Sequence, residues 1–243
     1  MLANQLGKGL GAHIVREYET NDFIEKRFIG LLFDKLNVDC VLDVGANAGQ
    51  YGHLLREAGY TGLIVSFEPN PPVFEELRQA SDADGKWVAF PQALGAAEGE
   101  LPFNVMVSSD FSSFRKPSSQ EERLFARDNQ IARTVSVKVS RLDAMLQGLQ
   151  ERFGFTSPLL KMDTQGFDLE VLEGAAGVLD AIVGLSSEIS VHRMYEDSPT
   201  MLESLAAIGR AGFDPVYFLP VHPGRIVNPI EFNCYAVRRD LAV

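Results

Sequence analysis

Residues 40–52 read CVLDVGANAGQYG, in which an apolar run ends near an acidic residue and leads into a glycine-rich turn. The apolar run predicts a buried strand, and the residues after Gly49 predict a helix. Small residues in such a turn let a ligand approach the backbone, while the amides of the helix face the crevice above the strand ends. The stretch therefore predicts a strand, turn and helix that bind a ligand at the edge of a parallel sheet.

The glycine spacing separates this turn from the fingerprint of dinucleotide-binding folds. In that fingerprint one residue separates the first two glycines, whereas three residues separate Gly45 from Gly49. The carboxylate of Asp43 would also repel a pyrophosphate. A cofactor with an ammonium group and no phosphates therefore fits better than a nicotinamide dinucleotide. The candidate cofactor-binding residues of the turn are Asp43, Gly45, Ala46, Asn47 and Gly49.

A second acidic residue follows the next predicted strand. Glu68 stands 23 residues after Gly45, where the acidic partner of a ribose is expected in such folds. A carboxylate can accept hydrogen bonds from both ribose hydroxyls, although Glu68 could instead cap the helix that follows. Its position relative to the turn favours the ribose interpretation. Further candidates are Asn70 in the same segment, and Gln92 and Ala93 after the third strand, where a loop can flank a purine.

Apolar runs that alternate with helical patterns predict the main sheet. Strands that alternate with helices in this way form a doubly wound, mostly parallel α/β sheet with helices on both faces. The last two runs are joined by a turn that contains proline and glycine, which predicts a terminal hairpin. The predicted strands of this sheet are 40–44, 63–67, 87–90, 159–163, 182–189, 215–219 and 231–237.

An insertion interrupts this alternation. Segments 101–107 and 134–139 alternate with period two, which predicts antiparallel strands with one solvated face, at a sheet edge or in a flap. The polar stretch 108–133 between them predicts a mobile loop with a short helix near 121–126. Hydroxyls and amides of 110–114 could close over a ligand or form an ordinary turn.

A helical pattern precedes the first strand. Residues 23–36 place Phe28, Ile29 and Leu32 near helical spacing with charges between them, which predicts an amphipathic helix that covers the sheet or a partner. We therefore divide the chain into an N-terminal helical extension, residues 1–38, and one α/β domain, residues 39–243. The extension is also a candidate surface for a homo-oligomer.

Composition restricts the partners. The 243 residues include 22 Lys and Arg against 33 Asp and Glu, a net charge of -11 that opposes binding to nucleic acid or anionic membranes. A small-molecule or glycan acceptor is the better expectation. The two cysteines, Cys40 and Cys234, lie in apolar runs and indicate neither a disulfide framework nor a zinc site. Without a signal-like or membrane-spanning run, we expect a soluble, cytoplasmic protein.

Two charged residues mark the end of the fourth parallel strand. Lys161 and Asp163 are two apart, so both side chains should point to the same face of the strand, into the crevice beside the cofactor. They could neutralise each other as an ion pair, or they could act on the substrate. In the second case Asp163 is the better base or metal ligand, and Lys161 is the better orienting donor.

Two residues of the following strand and loop are further catalytic candidates. Glu188 ends the next predicted strand and His192 lies just beyond it. An imidazole suits general-base catalysis near neutral pH. A lone histidine can equally be a loop or packing residue.

Five blocks of this sequence together resemble the FkbM-type methyltransferases. The likeness covers about residues 39–237, in the order of the family, and its most specific block surrounds Asp163. The blocks are 41–52 (VLDVGANAGQYG), 67–71 (FEPNP), 93–95 (ALG), 139–143 (VSRLD) and 160–175 (LKMDTQGFDLEVLEGA).

The resemblance implies a seven-stranded Rossmann-like methyltransferase sheet and an S-adenosylmethionine-dependent transferase. It also implies O-methylation of a hydroxyl group on a sugar, polyketide or related natural product, as in natural product or polysaccharide biosynthesis. Gln165 departs from the family pattern, since many members carry an acidic residue there. A role for a carboxylate at this position therefore cannot be transferred.

Two alternatives remain open. A sugar O-methyltransferase assisted by Mg²⁺ would use Asp163 and a nearby carboxylate to lower the pKa of the acceptor hydroxyl, although we do not predict Mg²⁺. A non-catalytic nucleoside-binding or scaffolding protein would keep the turn without the chemistry. The acidic and basic residues at the strand ends favour an enzyme.

Overall fold

The computed structural model describes residues 20–119, 125 and 127–241. Its main sheet has seven strands in the order β3-β2-β1-β7-β8-β10-β9. Strands β3, β2, β1, β7 and β8 are parallel, and β10 runs antiparallel to β8 and β9. The strands are β1 Cys40–Val44, β2 Leu63–Phe67, β3 Trp87–Phe90, β7 Pro158–Met162, β8 Gly184–Ser190, β9 Phe213–Pro220 and β10 Glu231–Arg238. The predicted mostly parallel α/β sheet and its terminal hairpin are confirmed.

Successive side chains of each strand point to opposite faces of this sheet, and helices cover both faces. In β1, Leu42 packs with one core cluster and Val41 with the other. Helices α1 to α3 pack on the face of Val41, and α4 to α6 pack on the face of Leu42. The helices are α1 Thr20–Leu36, α2 Gln50–Glu57, α3 Pro71–Asp82, α4 Leu142–Phe153, α5 Asp168–Gly174 and α6 Met201–Arg210.

The amphipathic helix predicted over 23–36 is present and begins at Thr20. Its buried side chains include Ile29 and Phe33, which belong to the second core cluster, and Phe28 stacks on Tyr217 with ring centroids 4.1 Å apart. The helix therefore packs on the sheet of its own chain.

The insertion forms a separate sheet beside the main one. Strands β4 (Ala93–Leu94), β5 (Gly99–Met106) and β6 (Ile131–Ser140) make a three-stranded sheet in the order β4-β6-β5, with β5 and β6 antiparallel. This confirms the predicted flap, to which β4 adds a strand where a loop was expected. The short helix predicted near 121–126 lies almost entirely outside the described residues.

One predicted helix is shorter than expected. Leu169 and Leu172 lie in α5, but a 3₁₀ segment, Ala176–Ala181, carries Leu179. A Cβ added at Gly174 would lie 2.0 Å from the carbonyl oxygen of Gly95. The end of α5 is therefore held directly against the backbone that follows β4.

The sheet topology places a crevice at the carboxyl end of β1. The chain passes from β1 to β2 on one side and returns to pair β7 with β1 on the other. Such a reversal of strand order leaves an opening between the connections, where α/β proteins bind ligands.

Candidate active site

A cavity of about 360 Å³ lies in this crevice, within the usual size range of small-molecule sites. Its walls come from the turn after β1, the ends of β2, β7 and β8, strand β4 and the start of the flap. Helix α1 and strand β10 each add a polar side chain, Glu25 and Asn233. The cavity thus collects residues from both halves of the sheet.

Backbone packing explains the glycines of the turn. Gly45 has φ +76°, and a Cβ there would lie 1.9 Å from the carbonyl oxygen of Asp163. Gly49 has φ +97° and faces Trp87, whose Cη2 would be 2.9 Å from an added Cβ. Gly45 therefore lets the turn lie against the end of β7, whereas Gly49 serves packing below the cavity.

Glu68 is buried at the end of β2 and lines the cavity. Its Oε2 accepts a hydrogen bond from the amide of Asn47 at 2.9 Å, and its Oε1 accepts one from the amide of Asn70 at 2.8 Å. Burial raises the pKa of Glu68 to about 7, against the opposing effect of these two amides. A carboxylate offers about four lone-pair sites, so it can accept further donors from a ligand.

The other predicted cofactor residues divide into two groups. Ala46, Asn47 and Ala93 line the cavity. Asn70 is buried beside Glu68 without lining it, and the Nε2 of Gln92 points to the sulfur of Met145 at 3.5 Å. Neither Asn70 nor Gln92 lines the cavity, so their cofactor roles stay predictions without support from the cavity wall.

Lys161 lies between two carboxylates. Its Nζ is 3.0 Å from Asp43 Oδ1 and 3.5 Å from Asp163 Oδ2. Burial opposes the charged form of Lys161, but the nearby carboxylates of Asp43 and Asp163 outweigh it and raise the pKa. Asp43 is directly opposite Lys161 in the β1–β7 register, so the fully buried Asp43 pairs with Lys161, which lines the cavity.

Asp163 and Glu188 face the cavity from neighbouring strand ends. The Asp163 side chain is 36% exposed, and both residues line the cavity. Burial raises the pKa of Glu188 well above its usual value, and the charges of Glu231 and Asp163 add to the effect. The environment of Glu188 therefore favours its neutral form.

The structure places His192 away from this cluster. Its exposed ring lies 3.4 Å from the Oδ1 of Asn228, and the residue is not part of the cavity wall. Strand β8 ends at Ser190, and the chain has turned outward before His192. The expectation that His192 reaches the crevice is not supported.

Sequence reasoning missed Glu25. This carboxylate projects from α1, where its Oε1 accepts hydrogen bonds from the Tyr235 hydroxyl at 2.8 Å and from Asn233 Nδ2 at 3.2 Å. An acidic residue four positions before the buried Ile29 lies on the apolar face of the helix. An acidic residue on the apolar face of a helix was the sequence signal that could have identified Glu25.

The part of the flap that directly follows β5 contacts the turn after β1. Asn47 Nδ2 donates to Asp110 Oδ1 at 2.8 Å, and Ser109 Oγ donates to Asn47 Oδ1 at 3.3 Å. Both flap residues line the cavity. The flap therefore covers the part of the cavity near Glu68 and the turn.

The arrangement of the carboxyl groups at the strand ends bears on the Mg²⁺ alternative. Within the described part of the chain, no group of three or more His, Cys, Asp or Glu side chains could hold a metal ion. The Nε2 of Gln165 lies between Asp163 and Glu188 and donates to both. A proton donor thus occupies the place where a cation would need oxygen ligands.

A family model described as the methyltransferase FkbM domain matches residues 43–215, well over half of the chain. This chain belongs to the FkbM methyltransferase family. The match confirms the resemblance to the FkbM-type methyltransferases. It also includes both strand ends that carry Glu68 and Asp163.

Known proteins similar to this FkbM methyltransferase include AglP, a hexuronic acid methyltransferase of Haloferax volcanii. AglP is 25% identical over 161 residues, which cover 65% of this chain and 59% of AglP. This chain therefore spans less than two thirds of that relative.

Solved structures with a similar fold are more distant. The magnesium protoporphyrin IX methyltransferase ChlM of Synechocystis PCC 6803, solved with bound S-adenosylmethionine, is 10% identical, with a TM-score of 0.46 over 93% of this chain and 86% of ChlM. An S-adenosylmethionine-dependent methyltransferase assigned in Listeria monocytogenes is 8% identical, with a TM-score of 0.48 over 90% and 98% of the two chains.

Among the helices that the structure describes in this FkbM methyltransferase, none has the length and apolar character needed to cross a bilayer.

Proposed function

We infer that this protein methylates a hydroxyl group of a sugar or related natural product, with Asp163 as the proton acceptor. The observation that carries this proposal is the partly exposed Asp163 carboxylate in the same cavity as the buried Glu68 carboxylate. One carboxylate is suited to hold the cofactor, and the other is suited to act on an acceptor.

The residues around Glu68 fit S-adenosylmethionine. Glu68 can accept hydrogen bonds from the ribose hydroxyls, while Gly45 and Ala46 bring the turn backbone to the cavity wall. The acidic wall favours a cofactor with positive charge. When bound, S-adenosylmethionine supplies an electrophilic methyl group on a sulfonium.

Asp163 would remove the proton of the acceptor hydroxyl through Oδ2, the oxygen that does not accept from Gln165. Lys161 orients this carboxylate through its contact with Oδ2 at 3.5 Å. Enclosure by the flap and α1 would exclude water from the reacting groups. Alignment of the hydroxyl with the methyl group supplies the rest of the acceleration.

Polar side chains next to Asp163 support an acceptor with several hydroxyls. Glu188, Gln165 and Asn233 all line the cavity and offer hydrogen-bond donors and acceptors. The similarity to a hexuronic acid methyltransferase agrees with a sugar acceptor. Incubation of the protein with labelled S-adenosylmethionine and fractionated extract of the source cell would identify the acceptor.

The substitution Asp163→Asn tests the catalytic role. It preserves the shape and removes the proton acceptor, so methyl transfer should fall by roughly a hundredfold or more. Binding of S-adenosylhomocysteine, measured by calorimetry, should remain near normal. The exposed Asp180 lies outside the cavity, so Asp180→Asn is a matched control and should keep full activity. Full turnover by Asp163→Asn would make Asp163 a structural partner of Lys161.

A further inference from the structure

The side-chain amide of Gln165 joins the two carboxyl groups at the ends of β7 and β8. Its Nε2 lies 3.0 Å from Asp163 Oδ1 and 3.1 Å from Glu188 Oε2. An amide nitrogen carries two protons. One amide can therefore donate to both carboxyl groups at the same time.

The two carboxyl groups set the orientation of this amide. A reversed amide would place its oxygen, in place of its nitrogen, against Asp163 Oδ1 and Glu188 Oε2. On the other side of the amide, the hydroxyl of the buried Tyr195 lies 2.8 Å from Gln165 Oε1 and 3.0 Å from the Phe111 carbonyl oxygen. Its single proton can serve one of these two acceptors at a time.

The backbone of Gln165 is held as firmly as its side chain. Its φ of +53° lies in the left-handed region, which costs energy for a residue with a side chain. The flap secures this conformation, because Ser113 Oγ donates to the Gln165 carbonyl at 2.7 Å and Arg115 Nε donates to the Gly166 carbonyl at 2.7 Å. The flap thereby fixes the position of the amide.

Charged groups surround the pair from every neighbouring element. Asp163 faces Lys161, whose charge is shared with Asp43. Burial has the largest effect on the pKa of Glu188 and raises it, and three neighbouring acidic groups raise it further. They are Glu231 on β10, Asp163 after β7 and Asp168 at the start of α5. Burial and these acidic neighbours thus disfavour charge on Glu188, against the opposing effect of Lys161.

We propose that Gln165 is a positioning residue whose side-chain amide joins the carboxyl groups of Asp163 and Glu188, so that Asp163 remains the proton acceptor. The proposal rests on the function inferred above. The amide supplies a donor to each carboxyl group without adding charge. A carboxylate at this position would add a third negative charge and compete for the same protons.

Gln165→Glu and Gln165→Met test this role through the pH dependence of stability. A third carboxyl group would bind protons in the folded state that the unfolded chain releases, so the Glu variant should lose stability, relative to the wild type, as pH rises from 5 to 8. The Met variant removes the donors and should show a smaller loss in the same direction. Tyr195→Phe keeps the Gln165 amide and removes the hydroxyl that contacts its oxygen. Its loss of stability with rising pH should therefore be smaller than that of the Met variant.

The matched control is Gln147→Met. Gln147 is exposed on α4 and donates to Glu151 at 2.9 Å, so its loss should shift stability equally at every pH. A pH-independent shift for all three test variants would mean that Gln165 only holds the loop, and it would overturn the proposal.

Methyl transfer to the identified acceptor supplies the second measurement. In Gln165→Glu the acid limb of the kcat profile should move to higher pH by about one unit, while the affinity for S-adenosylhomocysteine stays unchanged. An unmoved limb would contradict the proposal. If Asp163→Asn keeps its turnover but the stability of Gln165→Glu still depends on pH as expected, the proposed base fails and the charge arrangement stands.

Discussion

Glu68 is the residue whose environment most directly predicts a measurable pH dependence. Burial raises the pKa of Glu68 to about 7, so this carboxyl group is partly protonated near neutrality. Ribose hydroxyls donate to the ionised form. Affinity for S-adenosylhomocysteine should therefore fall by about tenfold as pH decreases from 8 to 6, because the ionised fraction falls by that factor.

Calorimetry across this pH range tests the Glu68 prediction. Glu68→Gln should bind more weakly at pH 8 and lose the pH dependence, and Glu68→Ala should cost about 1–3 kcal/mol of binding free energy. Unchanged affinity in both variants would remove Glu68 from the ribose role.

Gly45 gives a stability prediction at the same scale. Gly45→Ala combines a positive φ with a Cβ 1.9 Å from the Asp163 carbonyl oxygen, so it should destabilise the fold by about 2–4 kcal/mol. Gly148 in α4 has open space around an added Cβ, and Gly148→Ala should instead stabilise by about 0.5–1 kcal/mol. Urea unfolding of the two variants measures both signs, and a neutral Gly45→Ala would refute the close-packing argument.

Sequence reasoning identified most of the important side chains but not all of their partners. The two-residue spacing of Lys161 and Asp163 predicted that they share a face, and they do. The stronger partner of Lys161 is Asp43, a pairing that depends on the register of β1 against β7. No local pattern in the sequence encodes that register.

At the scale of elements, the flap is the part of the site that we expect to respond to ligands. Its Ser109 and Asp110 contact Asn47 through side-chain hydrogen bonds, and both line the cavity. Such bonds to a loop can open and close at low cost. Amides of residues 108–112 should therefore exchange more slowly when S-adenosylhomocysteine and acceptor are bound.

Hydrogen exchange followed by mass spectrometry measures this protection. Residues 143–152 of α4, which pack away from the cavity, provide the internal reference. Equal exchange of 108–112 in the free and doubly bound protein would refute the proposal that this segment closes over the ligands, and would leave the fold unaffected.

Elements were predictable where periodicity was strong. The parallel strands are buried on both faces of the sheet, which gives continuous apolar runs. The flap strands are buried on one face, which gives an alternation with period two. The short strand β4 escaped prediction because two residues, Ala93 and Leu94, carry no period. The early end of α5 also escaped, because it depends on the contact of Gly174 with the distant backbone of Gly95.

For the whole molecule, the arrangement of the sheet follows from the order of its elements, whereas the composition of the cavity does not. Alternating strands and helices restrict the topology to a few right-handed arrangements. The cavity, however, combines Glu25 from α1 with Asn233 from β10, near opposite ends of the described chain. Their meeting is a property of the folded molecule and could not be read from either segment alone.

The ion pair between Asp43 and Lys161 also has a consequence for synthesis of the chain on the ribosome. Strand β1 emerges first, but its central carboxylate gains its cation only when β7 has been made. Burying an unpaired charge is strongly unfavourable. Closing the core of the nascent β1–β2–β3 half around a charged Asp43 is therefore disfavoured until β7 has left the exit tunnel and Lys161 can reach it.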